Sequence, residues 1–313
     1  MTLRDRFANR KVLITGASGF LGSHLAERLN QCGAEVHGTS RVRHSDYADS
    51  IHWIQSDLLD LASVRRFIGQ LKPDIIFHFA GQSTGAPDLQ LVLPTFQSLV
   101  VSTVNLLIAA SDVRCGRVVL MGSLTEPLPS QSEVLPGSPY AAAKLTGNAY
   151  GRMFHELYGI PVVIARPFMT YGPRQNMRKL IPYVTMSLLE GKAPRLSNAA
   201  LEADWIYIDD VIEGFLAVAD TPNLEGATID LGSGSLRSVS WVVKQLQALI
   251  DPNVEPLFGA LPDRPKEQVR VANTAQTALR LGWKPAISLQ HGLQLTVDWY
   301  RQHMREPSEV FSV

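Results

Sequence analysis

Six short runs of β-branched and aliphatic residues recur before residue 168: KVLITG, AEVHGTS, HWIQSD, DIIFHFAG, RVVLMGS and IPVVIARP. Between them, SHLAERLNQCG, ASVRRFIGQL and TVNLLIAASDV carry apolar residues at helical spacing. Continuous apolar runs of this length suit strands buried on both faces. Strands that alternate with helices pair in parallel, because the chain needs a crossover to return to the same end of the sheet. The fold class expected is α/β, a doubly wound parallel sheet, with ligands held beyond the carboxyl ends of its strands.

With 313 residues and 45% hydrophobic content, the chain can bury a large core. After Pro167 the pattern changes, and YGPRQNMRK and DPNVEPLFGALPDRPKEQ collect Gly, Pro, Arg and Asn. A smaller C-terminal substrate-binding lobe is expected there. ADWIYIDDVIEGFLAVAD and GATIDLGSG read as a strand–helix–strand return to the first sheet, so the boundary is discontinuous: 1–171 and 206–232 for the dinucleotide-binding domain, 172–205 and 233–313 for the lobe.

Lys plus Arg and Asp plus Glu number 29 each, so no global field draws in nucleic acid or an anionic membrane, and local groups must hold any anionic ligand. Cys32 and Cys115 lack CxxC spacing, which excludes a disulfide framework or thiolate zinc site. The eight histidines form no HExxH-type pair, so no metal is expected, and His78 in IIFHFAG reads as a packed core histidine. The N-terminus has no signal-peptide core and the chain no evident membrane-spanning stretch, so a cytoplasmic location is expected.

VLITGASGFLGSHLAERL places Gly16, Gly19 and Gly22 between the first strand and a helix. Glycine allows the tight turn and close backbone approach that a pyrophosphate needs, and the helix N-terminus supplies free N–H groups. Ser18, Phe20 and Leu21 join this cofactor set. The bland alternative is a turn that binds nothing. At the end of the second strand, where an NAD site usually carries an acidic residue, Thr39, Ser40, Arg41 and Arg43 stand instead. That set favours the 2′-phosphate of NADP, with NAD the alternative if both arginines are surface charge. Asp57 is a candidate for the adenine amino group or an ordinary helix N-cap, with Leu58 beside it.

GSPYAAAKLTG puts Tyr140 and Lys144 four residues apart on one helical face, with Pro139 suited to the first turn. A nearby ammonium, like an oxidised nicotinamide, is expected to lower the tyrosine pKa from about 10 and make the phenol a general acid/base. Upstream, VVLMGS leaves Ser123 at the carboxyl edge of the sheet, where a hydroxyl can bond the reacting oxygen. Tyr-x-x-x-Lys alone recurs by chance. The glycine turn, edge serine and this pair in order read as a catalytic site.

With HFAGQS, RPFMTYGPRQ, DWIYIDDVIEG and LGWKPAISLQHGL added, the chain resembles the extended short-chain dehydrogenase/reductase family, over nearly its whole length, and within it the sugar-nucleotide epimerases, dehydratases and ketoreductases. The resemblance implies a Rossmann-type sheet, with Ser123, Tyr140 and Lys144 catalytic and Lys144 also on the nicotinamide ribose. It extends the cofactor set to Phe79, Ala80 and Gly81, and makes Gln82, Ser83, Ser123, Thr125, Met169, Arg174 and Arg264 substrate-binding, Arg264 toward the pyrophosphate. It implies a UDP-, dTDP-, GDP- or CDP-linked sugar as substrate. It also implies a homodimer through the helices Thr95–Ala110 and that starting at Tyr140.

The related 4,6-dehydratases carry an acidic pair after the catalytic Ser or Thr, where this chain has Leu124 and Thr125, with a displaced Glu126. Leu99 and Met169 stand where relatives commonly place asparagines. The expected function is hydride transfer at C4 of a nucleotide sugar, by 4-keto reduction or epimerisation. The alternatives are a sugar-nucleotide dehydratase and a non-catalytic dinucleotide-sensing protein.

Overall fold

A computed structural model describes residues 3–42, 50–126, 135–197, 199–262 and 269–303. The chain forms two compact units, Met1–Arg166 with Ile212–Ile229, and Pro167–Val211 with Asp230–Val313.

The first begins with α1 (Leu3–Phe7), β1 (Lys11–Thr15), α2 (Phe20–Gln31), β2 (Glu35–Ser40), β3 (His52–Gln55), α3 (Leu61–Leu71) and β4 (Ile75–His78). A helical run follows: a 3-10 turn at Leu89–Leu91, α4 (Val92–Phe96), a π-helical turn at Gln97–Val101, and α5 (Ser102–Ser111). Then come β5 (Arg117–Met121), α6 (Pro139–Tyr158) and β6 (Val162–Pro167). The remaining elements are β7 (Met169–Tyr171), α7 (Leu180–Leu189), β8 (Glu202–Tyr207), α8 (Ile208–Asp220), β9 (Thr228–Leu231), β10 (Leu236–Ser238), α9 (Val239–Ile250), α10 (Thr274–Leu281) and α11 (Leu289–His303).

All six expected strands are present in a seven-stranded sheet of order β3-β2-β1-β4-β5-β6-β9. Successive strands add outward from β1 on one side and from β4 on the other, which puts the topological switch point between them. Val12, Leu13, Ile14, Ile75, Ile76, Phe77, Val118 and Val119 are buried, which accounts for their unbroken apolar runs. Burying each such side chain contributes about 1.5–3 kcal/mol. Leu106, Leu107, Ala109 and Ala110 of α5 join Val64 and Ile68 of α3 in one cluster with Val118 and Leu120.

The run Leu89–Ser111 is long and apolar enough to cross a membrane by length and composition, contrary to the expectation that no stretch was. Its second half is this core, while Leu89, Val92, Leu93 and Phe96 in the first half are exposed.

β8 departs from the expected return to the first sheet. It pairs in parallel with β7 and antiparallel with β10, in a separate three-stranded sheet within the second unit. The following α8 and β9 lead back to the seven-stranded sheet, so the strand–helix–strand reading holds for β9 and fails for β8. In the second unit Asp204 of β8 is buried and accepts from Ser233 N (2.7 Å), Ser233 Oγ (2.6 Å), Gly234 N (3.0 Å) and Ala272 N (2.9 Å). One carboxylate thus fixes two connecting segments onto the small sheet.

Candidate active site

The glycine turn is built from backbone proximity. Gly16 has φ +73°, and a Cβ there would lie 2.8 Å from Ala80 N. A Cβ on Gly22 would strike the Gly16 carbonyl oxygen, so neither position admits a side chain. Gly19 is the N-cap of α2 and brings no capping side chain, and the first turn holds no acidic residue. The N–H groups of that turn and the positive end of the helix dipole are thus left for an anion. The cradle fits the pyrophosphate of a dinucleotide. Ser18, Phe20 and Leu21 flank it, each partly exposed.

The other cofactor candidates divide by what their side chains do. Ser40 ends β2, its Oγ accepting from Val42 N at 3.2 Å, and Arg41 is exposed next to it. Arg43 lies outside the described residues, as does Arg264. Asp57 turns back onto Leu59 N at 3.0 Å, while α3 is capped by Asp60, which accepts from Ala62 N and Ser63 N. The N-cap alternative for Asp57 is therefore wrong, and a residue three positions later has that role. Leu58 is core, and its carbonyl is held by Asn105 Nδ2 at 2.9 Å. Phe79 packs on Phe215 with centroids 4.6 Å apart, so only its backbone can serve the loop. Ala80 N is bonded by Thr15 Oγ1 at 3.3 Å. Gly81 has φ +141°, with the Leu99 side chain filling the space its Cβ would need.

Ser123, Tyr140 and Lys144 converge just past β5. Ser138 caps α6 through Ala141 N, and Pro139 sets the first turn, so Tyr140 and Lys144 share one helical face. Tyr140 hydrogen-bonds the Ser123 side chain, and Ser123 Oγ lies 2.8 Å from Thr125 Oγ1. Lys144 Nζ donates to Met121 O at 2.8 Å and stands 5.9 Å from the Tyr140 ring centroid.

The expected lowering of the Tyr140 pKa is not what this surrounding produces. Burial against Leu99, Val100 and Ala143 pushes the phenol up to about 12, the Ser123 hydrogen bond opposing and the Glu126 charge adding to the rise. Burial also lowers Lys144 from 10.5 to about 8, against the pull of Glu126. The ammonium is spent on the Met121 carbonyl instead of the phenol. His78 is a packed core histidine. Its Nε2 and Nδ1 face Thr103 Oγ1 (3.0 Å) and Thr15 Oγ1 (2.7 Å), and burial takes it down to about 3, so the ring is neutral.

Among the substrate candidates, Thr125 joins Ser123. Gln82 and Ser83 are exposed in the loop after β4, with Gln82 N bonded by Ser98 Oγ at 3.4 Å. Met169, 37% exposed, and Arg174, at φ +63°, belong to the second unit. Two groups at the catalytic set are absent from the expected list: the Met121 carbonyl and Asn148. The periodicity Tyr140, Lys144, Asn148 on α6 was the available signal for the latter. Glu126 is buried, accepting from Ser123 N and from Asn148 Nδ2 at 2.7 Å.

Residues 12–232 match the model of the NAD dependent epimerase/dehydratase family. The chain belongs to that family. It aligns nearly end to end with relatives. It is 29% identical to a UDP-glucose 4-epimerase of Mycolicibacterium smegmatis, over 93% of this chain and 98% of that one. To a dTDP-D-glucose 4,6-dehydratase of Bos taurus it is 27% identical, over 96% and 90%. The crystal structure of a UDP-glucuronic acid 4-epimerase from Bacillus cereus, in complex with UDP-glucuronic acid and NAD, superposes with TM-score 0.82 at 25% identity, over 93% and 99% of the two chains. The epimerase/dehydratase membership and the extended short-chain dehydrogenase/reductase resemblance thus agree, with the Rossmann-type sheet as their common frame.

Proposed function

We propose that the chain transfers hydride at C4 of a nucleotide-linked sugar, as a 4-keto reductase or a 4-epimerase, through Ser123, Tyr140 and Lys144. The observation that carries this is their meeting at the end of β5, bonded to one another or to the strand end, with no acid pair following Ser123. Tyr140 exchanges a proton with the C4 oxygen, Ser123 donates a hydrogen bond to that oxygen, and Lys144 holds positive charge beneath the phenol. The dinucleotide, when bound, supplies or accepts the hydride and brings a positive ring in its oxidised form.

Dehydration is disfavoured by the same geometry. Leu124 cannot move a proton, and the Glu126 carboxylate is turned inward onto Ser123 N and Asn148. The relatives' printed activities, a UDP-sugar epimerase among them, support a nucleotide sugar as the substrate class. Native mass spectrometry of gently purified protein should find a nucleotide sugar with a nicotinamide dinucleotide; repeated recovery of neither overturns the proposal. Stoichiometric consumption of NADPH then marks a reductase, and recycling of the cofactor an epimerase.

For the cofactor we propose NADP. The described residues at the end of β2, Thr39 to Val42, offer Ser40 and exposed Arg41 and include no carboxylate. A charge-assisted contact to the 2′-phosphate contributes about 1.5–3 kcal/mol, so Arg41→Ala should weaken NADPH binding at least about tenfold and leave NADH unchanged. Equal affinities for NADPH and NADH in the parent chain overturn this choice.

We further propose a homodimer through the face formed by Leu89, Val92, Leu93 and Phe96, with Tyr150 of α6, all exposed in the single chain. Light scattering should report a dimer at micromolar concentration and a monomer for Leu93→Glu. A monomeric parent overturns it.

A further inference from the structure

Glu126 sits three residues beyond Ser123, and only 3% of it is exposed. Its Oε1 accepts from two elements at once, the Ser123 N–H at the end of β5 and Asn148 Nδ2 on α6 at 2.7 Å. Asn148, also 3% exposed, lies one helical turn beyond Lys144 and two beyond Tyr140. Room for the carboxylate is made by Gly122, where a Cβ would come within 2.9 Å of Oε1. Both lone pairs of Oε1 are thereby used by N–H donors.

We propose that Glu126 is a positioning residue of the catalytic set, a buried carboxylate that pins Ser123 from its backbone side and fixes a negative charge beneath Lys144 and Tyr140. The proposal rests on the reading of Ser123, Tyr140 and Lys144 as catalytic. It assigns Glu126 a task other than elimination chemistry, because the carboxylate is committed to the strand end and to Asn148.

The neighbours define what that charge acts on. Ser123 and Thr125 face it from the strand end, Tyr140, Lys144 and Asn148 from α6, His78 reaches Lys144 electrostatically from β4, and Arg166 of β6 lies with Glu126 against Gly122. His78 is neutral there, which leaves Glu126 as the carboxylate acting on both Lys144 and Tyr140. A buried negative charge favours the protonated form of each. It opposes the burial that brings Lys144 down to about 8, and so favours the ammonium at physiological pH.

Glu126→Gln isolates the charge, since the amide oxygen can still accept from both donors. The probe is the titration of Lys144 in the full chain without ligand, followed by NMR of protein carrying 13Cε-labelled lysine, with the resonance assigned by its loss in Lys144→Ala. The Lys144 midpoint should fall by about one to two pH units in Glu126→Gln, the size expected for losing one charge several ångströms away at an effective dielectric constant of about 20. Glu126→Asp, which keeps the charge but withdraws it by one methylene, should fall between the two, and it decides the matter if the Gln variant does not fold. A Lys144 midpoint that moves in neither variant overturns the proposal. This readout needs no substrate, so it fails or succeeds separately from the catalytic reading, which falls instead if Tyr140→Phe keeps full turnover.

Discussion

Glu126 and Asp204 are two buried carboxylates, one in each unit, with 3% and 1% of their surface exposed. Both accept from backbone N–H groups, and burial alone does not tell them apart. Their donors do. Asp204 takes four hydrogen bonds from Ser233, Gly234 and Ala272, all neutral groups of connecting segments, and serves the architecture of the small sheet. Glu126 accepts from the backbone of Ser123 and from Asn148, and its charge is felt by Lys144 and Tyr140. A buried acid is therefore better judged by what its donors belong to than by how well it is satisfied.

The largest effect that could break this contrast is at Tyr140. Tyr140→Phe should fold normally and lower turnover of the native nucleotide sugar by roughly two to four orders of magnitude, the contribution of a positioned acid/base. If turnover stays near that of the parent, Tyr140 is not the acid/base and Glu126 has no reacting set to position. Next in size is Asp204→Ala, which strands three buried backbone N–H groups and should cost at least about 3 kcal/mol in urea unfolding. A loss below about 1 kcal/mol would show that water or neighbours replace the carboxylate.

A subtler separation comes from pH. Because the folded-state pKa of Lys144 is depressed from 10.5 to about 8, the burial cost of its ammonium is fully present below pH 8 and is relieved as pH rises from there toward 10.5. Lys144→Met should therefore gain stability relative to the parent at pH 7, with the gap closing toward pH 10.5; a gap independent of pH contradicts the buried charge. Tyr140 titrates higher, near 12, and is common to both proteins, so it cancels in the difference. The smallest effect expected is from Thr125→Val, which removes the hydroxyl 2.8 Å from Ser123 Oγ and should slow turnover by about tenfold or less, as one neutral hydrogen bond would. A loss as large as that of Tyr140→Phe would move Thr125 into the reacting set.

What could be read from the sequence followed distance along the chain. β1, β4, β5 and β6 were legible because strands buried on both faces leave unbroken apolar runs, and the glycine turn because its spacing is local. β8 was assigned to the wrong sheet, since EADWIY looks the same whichever partner it takes. Asp57 and Asp60 compete for one cap within four residues, and only backbone geometry separates them. The pKa direction of Tyr140 failed for a similar reason. The four-residue spacing to Lys144 was visible, but the burial by Leu99 and Val100, and the diversion of the ammonium to Met121 O, come from other elements. Asn148 meets Glu126 across 22 positions of sequence, which local patterning does not connect.

The π-helical turn at Gln97–Val101 has a consequence for how the chain tolerates change in length. An ordinary helix advances by about 100° per residue, and a π turn accommodates one residue more than its hydrogen-bonding would otherwise allow. It therefore acts as a phase shifter between the exposed apolar face at Leu89–Phe96 and the core-facing residues of α5. Deleting a single residue there would restore regular winding while rotating the upstream face by about a quarter turn against the downstream one. Leu99 would leave its seat over Gly81 and Tyr140, or Leu93 and Phe96 would swing out of line with each other's present neighbours. Insertions and deletions in this family are thus expected to be tolerated at the loop before Leu89 and rejected at the π turn, where the number of residues, more than their identity, sets the alignment of two surfaces.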